Sequence, residues 1–98
     1  MIIYVDIDET ICETPNNRDY SKSVPIKKNI ELINKKYEEG NIIIYWTARG
    51  SGSGKDYSEI TTSQMNEWGA KFSDLKFGKP MYDLFICDKA INSEDFFK

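Results

Sequence analysis

Residues 2–10 read Ile2-Ile3-Tyr4-Val5-Asp6-Ile7-Asp8-Glu9-Thr10. The first four are β-branched or aromatic, the composition of a buried strand. That strand ends in two carboxylates one residue apart. Like charges so close repel each other and raise a pKa unless something compensates. A hard divalent cation such as Mg²⁺, which takes oxygen ligands, would compensate. The stretch therefore points to a metal-dependent site built on the N-terminal strand. The plainer reading is a strand that runs into a polar turn, where Asp and Thr cap the next segment.

Working outward, residues 11–24 carry Thr14-Pro15-Asn16-Asn17, Arg18-Asp19 and several serines, which predicts a loop or flap. Pro25 suits a first helical position, and Ile26, Ile30, Ile33 and Tyr37 recur at helical spacing up to Gly40. Ile42-Ile43-Ile44-Tyr45-Trp46 is a continuous apolar run, expected to be a central strand covered on both faces of a parallel sheet. Thr47-Ala48-Arg49-Gly50 follows it. Asp56 with Glu59 resembles a capping box that opens a second helix, which ends at Gly69. Leu75 and Phe77 mark a short third strand, and Asp83-Leu84-Phe85-Ile86-Cys87 a fourth. The tail Ser93-Glu94-Asp95-Phe96-Phe97 reads as a final helical turn.

This order, with connections read as long enough for parallel pairing, predicts an α/β domain of three layers around a small parallel sheet. Ligands in such sheets sit beyond the carboxyl ends of the strands. Three places then matter: Asp6 to Thr10, Thr47 to Arg49, and Cys87-Asp88.

The chain has 98 residues, expected to form a single domain over 1–98, with 40% hydrophobic and 30% charged residues. Its net charge of −3 gives no duplex nucleic-acid footprint. No apolar run approaches the roughly 20 residues of a membrane span. Met1 leads directly into the first strand, so no signal peptide is expected. Cys12 and Cys87 form neither a metal-ligand pattern nor a disulfide framework, which favours a cytoplasmic location. There is no histidine, which excludes His-based triads and His general bases.

With these residues in place, the chain resembles the haloacid dehalogenase superfamily of aspartate-nucleophile phosphotransferases. Four signatures carry the resemblance, in order: Asp6-x-Asp8-x-Thr10 after an apolar strand, Thr47 ending the second, Lys79 in Gly78-Lys79-Pro80, and Asp88 in Ile86-Cys87-Asp88. Within the superfamily it is similar to small phosphatases linked to capsule and surface-polysaccharide biosynthesis, through Thr47-Ala48-Arg49-Gly50, Gly78-Lys79-Pro80 and Asp88-Lys89-Ala90-Ile91. The resemblance implies a three-layer Rossmann-like domain without a cap. It implies a Mg²⁺-dependent phosphomonoester hydrolase acting on a sugar phosphate or related metabolite. Asp6 would be the nucleophile and Asp8 the general acid and base. Thr47 would bind the phosphoryl group, and Lys79 would steady transition-state charge and orient Asp6. Asp6, Asp8 and Asp88 would hold the metal.

Cys87 departs from the pattern, standing where those relatives carry a first Asp. It would either weaken support around the metal or pack as a small buried hydrophobe. Arg49 has two readings, a substrate contact and a surface salt bridge. A capless site admits an oligomer, and Phe96 and Phe97 either serve an interface or pack on the core. Three other readings stay open. Gly50-Ser51-Gly52-Ser53-Gly54-Lys55 invites a P-loop, but it has three residues between the outer glycines where four are needed, and Asp56 follows the lysine. The same chemistry could act on nucleotide or polynucleotide phosphates, or the fold could serve as a non-catalytic binding domain.

Overall fold

A computed structural model describes residues 1–98. Strand β1 (Ile2–Val5) pairs in parallel with β4 (Ile42–Trp46), and β4 pairs in parallel with β5 (Asp74–Lys76), giving the order β1-β4-β5. Helix α1 (Lys27–Glu38) links β1 to β4, and α2 (Ser58–Glu67) links β4 to β5. The expected α/β architecture around a small parallel sheet is present, with the apolar run at 42–46 as its central strand.

Local chemistry explains the element boundaries. Helix α1 has no side-chain N-cap; the Ile26 carbonyl accepts the Asn29 and Ile30 N–H groups instead, while the Ile26 N–H is anchored on the Ile11 carbonyl at 2.8 Å. Its far end stops at Gly40, whose φ of +97° suits glycine. The capping box expected for α2 is not formed: its N-cap is Tyr57, without a side-chain cap, and the Asp56 carboxylate accepts the Ser58 N–H at 2.9 Å in a turn just before the helix.

The loop expected over 11–24 is more structured than read. Strand β2 (Cys12–Glu13) pairs antiparallel with β3 (Val24–Pro25), and a 3₁₀ turn at Tyr20–Lys22 lies between them. Pro25 therefore sits in β3 and not at the first helical position.

Two expectations need correction. The first is the three-layer build. Side chains alternate along a strand, and Val5, Ile43 and Tyr45 meet Ile30 and Ile33 of α1 and Met65 of α2 in one core. Both helices thus serve a single face, and the fold here has two layers, one of helices and one of sheet. On the other face Ile2, Tyr4 and Ile42 remain exposed, while Tyr4 and Trp46 meet edge to face at 5.8 Å. The second correction is the fourth strand. Residues 83–87 form none, and every residue from 80 to 92 is exposed. Parallel neighbours need a crossover of a dozen or more residues, and only six, 77–82, separate β5 from this segment.

The chain then returns through α3 (Ser93–Phe96), where the Asn92 side chain accepts the Glu94 N–H and Phe96 and Phe97 pack against the core. No helix is long and apolar enough to cross a membrane.

Candidate active site

Beyond Val5 the chain turns sharply. The Ile11 N–H reaches the Ile7 carbonyl at 2.9 Å, and the Glu9 N–H reaches the Cys12 carbonyl at 2.8 Å. Glu9 takes a φ of +59°, an uncommon conformation for a residue with a side chain. Its carboxylate holds the turn, accepting the Thr14 N–H at 3.0 Å and pairing with Arg18 at 2.7 Å. Asp6 and Asp8 are thereby presented at the carboxyl end of the sheet.

Asp6 is the open member, with its side chain 40% exposed. Its Oδ1 accepts the Ile7 N–H at 2.9 Å, and its Oδ2 lies 3.3 Å from the Lys79 Nζ. Burial pushes the Asp6 carboxyl up, and Lys79 and the Ile7 N–H offset only part of that rise. Burial works against the Lys79 charge, yet Tyr82 and Asp6 outweigh it and hold the ammonium above its usual range. Lys79 is fixed from behind: its N–H donates to the Thr47 carbonyl at 3.1 Å, and its own carbonyl accepts the Ser51 hydroxyl at 2.8 Å.

Asp8 is held from below by Arg49, which is only 2% exposed. The guanidinium grips the carboxylate through Nε at 3.1 Å and Nη2 at 2.9 Å. Its Nη1 donates to Gln64 at 2.6 Å and Thr61 at 3.1 Å, both on α2, and its Nη2 to Ser23 at 3.3 Å. The Tyr20 ring stacks on the group 4.5 Å away. Thr14 and Cys12 also donate to Asp8 Oδ1. Burial would raise the Asp8 pKa, but the bonds from Arg49 and Thr14 prevail and lower it, so the carboxylate stays ionised.

This arrangement corrects both readings of Arg49. It is neither a surface salt bridge nor a substrate contact, because protein acceptors take its Nε, Nη1 and Nη2 groups beneath the site. Thr47 is fully buried, and its Oγ1 accepts the Arg49 N–H at 3.1 Å. Thr10 serves the loop, its carbonyl accepting the Asn29 side chain at 2.9 Å.

The structure thus gathers Asp6, Asp8, Thr47 and Lys79 at one sheet end, with Arg49 beneath. It does not bring Asp88 to them: no group of three or more His, Cys, Asp or Glu side chains stands close enough to hold a metal ion. The expected ligand set Asp6, Asp8 and Asp88 is not assembled within one chain. Cys87 is exposed, not packed as a buried hydrophobe. Residues 50–54 form a tight turn, the Gly54 N–H donating to the Gly50 carbonyl at 2.8 Å.

Sequence reasoning missed the cradle of Asp8: Thr14, Tyr20 and Ser23 from one segment, Thr61 and Gln64 from another. One signal was available. Asp8 and Arg49 follow the ends of two successive predicted strands, at similar depth. A cleft of about 470 Å³ lies between Val24-Pro25 and the end of α2 and holds none of the site carboxylates. A hollow of about 160 Å³ between Gly50, Lys55, Tyr57 and Gly78 adjoins the Lys79 side of the site.

No protein-family model matches the sequence, and no curated protein matches it significantly. Among solved structures, the crystal structure of a structural-genomics target from Vibrio cholerae is similar, with a TM-score of 0.85 and 24% sequence identity. The match covers 98% of this chain and 86% of that one, and it establishes a shared fold.

Proposed function

We propose that this chain is a Mg²⁺-dependent phosphomonoester hydrolase of haloacid dehalogenase type, acting through an aspartyl-phosphate. The sheet would be the core of that Rossmann-like fold, without a cap. One observation carries the reading: a solvent-open carboxylate, Asp6, is paired with a fixed lysine beside a second carboxylate at the carboxyl end of a parallel sheet.

Mg²⁺ is commonly held by one or two carboxylates with phosphate and water completing the shell, and Asp6 is the carboxylate of this site open enough to serve. The Asp6 carboxylate and the Asp8 backbone carbonyl would hold it, and its chemistry when bound is to offset repulsion between Asp6 and a phosphate dianion. An Asp6 oxygen attacks phosphorus while the bond to the leaving oxygen breaks. Lys79 stabilises the charge that builds on the phosphoryl oxygens, already aligned by its backbone contacts. Asp8 is ionised in the resting site, which suits the second half of the cycle, where it takes a proton from the attacking water. For the first half it must carry a proton. A neighbouring phosphate dianion shifts its proton affinity in that direction. Arg49 positions Asp8 in both halves.

The substrate class proposed is a sugar phosphate or related metabolite of surface-polysaccharide biosynthesis, acted on in the cytoplasm. The test is phosphate release from sugar phosphates, nucleotides and an aryl phosphate, with Mg²⁺ and with EDTA. Turnover that needs Mg²⁺ and disappears in Asp6→Asn is expected. Turnover that survives in Asp6→Asn refutes the mechanism, and a nucleotide preference moves the substrate class.

A further inference from the structure

Residues 80–92 leave the body of the protein and return to it. At one end Lys79 is bound to Asp6, and at the other the Ser93 hydroxyl reaches the Glu9 carbonyl at 3.5 Å. Between these anchors Leu84 is 75% exposed and Ile86 88% exposed, and Phe85 and Ile91 are open as well. Such a run of apolar and aromatic residues is strand-forming by composition, and it has no strand partner. The outer edge of β1 is also unpaired, since β1 lies at the margin of the sheet. An unpaired apolar edge is a template for an added strand.

The chain cannot use its own arm for this. The six residues 77–82 that follow β5 are too few to carry it from the carboxyl end of the sheet to the start of a parallel partner for β1. The alignment with the Vibrio structure covers 98% of the chain, so it runs through this arm.

We propose that two copies exchange these arms: residues 83–87 of each pair in parallel with β1 of the other, carrying Asp88 to the partner's Asp6 and Asp8. Leu84, Phe85, Ile86 and Ile91 of the arm, with Ile2 and Tyr4 of the open sheet face, stand 50% to 88% exposed, and the exchange covers them against one another. Two-fold exchange makes the contact self-complementary and closed. It also supplies the acidic residue that the single chain leaves outside the site. This last consequence rests on the phosphatase reading; the exchange itself does not.

The mass of the full chain in solution is the test, by sedimentation equilibrium from low to high micromolar concentration. The wild type is expected at twice the mass of one chain. Leu84→Lys/Ile86→Lys is expected at the mass of one chain with an unchanged circular dichroism spectrum, because both side chains face water in the isolated fold. Alkylation of Cys87 is expected to be slower in the wild type than in that variant. A wild type that stays monomeric overturns the proposal. So does a variant that dimerises as well as the wild type, or equal alkylation rates. Where the wild type releases phosphate, co-expressed Asp6→Asn and Asp88→Asn chains should recover about a quarter of its turnover, the share expected for random pairing. Wild-type turnover with an inactive mixture refutes donation of Asp88. A wild type without turnover counts against the phosphatase reading alone, and the mass still decides the exchange.

Discussion

Arg49 is the residue on which the site's electrostatics turn. A buried guanidinium without its carboxylate, or the reverse, leaves an uncompensated charge, and breaking such a pair typically costs about 3–5 kcal/mol. Arg49→Met should therefore destabilise the fold by about that much in urea unfolding, and Asp8→Asn/Arg49→Met by less than the two single changes together. Tyr45 poses the opposite case. Its hydroxyl is buried without a hydrogen-bond partner. Tyr45→Phe should leave stability unchanged or raise it by about 1–3 kcal/mol, again read by urea unfolding. Cys12 adds a pH signature. Burial, with Asp8 nearby, pushes its thiol from 9.0 up to about 12. Above pH 9 the unfolded chain releases this proton while the folded chain keeps it. Stability that is whole below pH 9 is therefore lost as pH rises toward 12. Cys12→Ala should flatten that alkaline decline in thermal melts.

At the scale of elements, the strands and helices that build the site could be read because each carries its own punctuation. The run Ile42–Trp46 was legible as the central strand, and Gly40 and Gly69 as helix stops, each with positive φ. Gly50 belongs to the same class: its φ is +85°, and a Cβ there would collide with the Lys55 carbonyl. The residues flanking the strand ends were legible too, because a parallel sheet sends Asp6, Asp8 and Thr47 to one edge. What could not be read depends on distant segments. The cradle of Asp8 joins residues 14–23 to α2, and no local pattern couples Thr14 to Gln64. The missing fourth strand is different: residues 83–87 have the composition of a strand, and the structure forms none there. The brevity of the connection from β5, residues 77–82, was visible in the sequence.

The whole molecule has one packed face, one open face and an arm that packs on neither. A domain of this size has little apolar surface to spare, and the exposed sheet face with the exposed apolar arm is the surface that the proposed exchange would cover. The absence of any cap-sized segment leaves Asp6 open to solvent, so a neighbouring copy would shelter the site as well as supply Asp88.

The claim beneath all of this is that Asp6 becomes phosphorylated during turnover. An acyl phosphate is reduced by borohydride to the alcohol, which converts the aspartate to homoserine. Mass spectrometry of enzyme quenched with borohydride during turnover should find homoserine at residue 6 when the phosphorylated substrate is present, and none without it. Steady turnover with residue 6 remaining aspartate under the same quench would contradict the account.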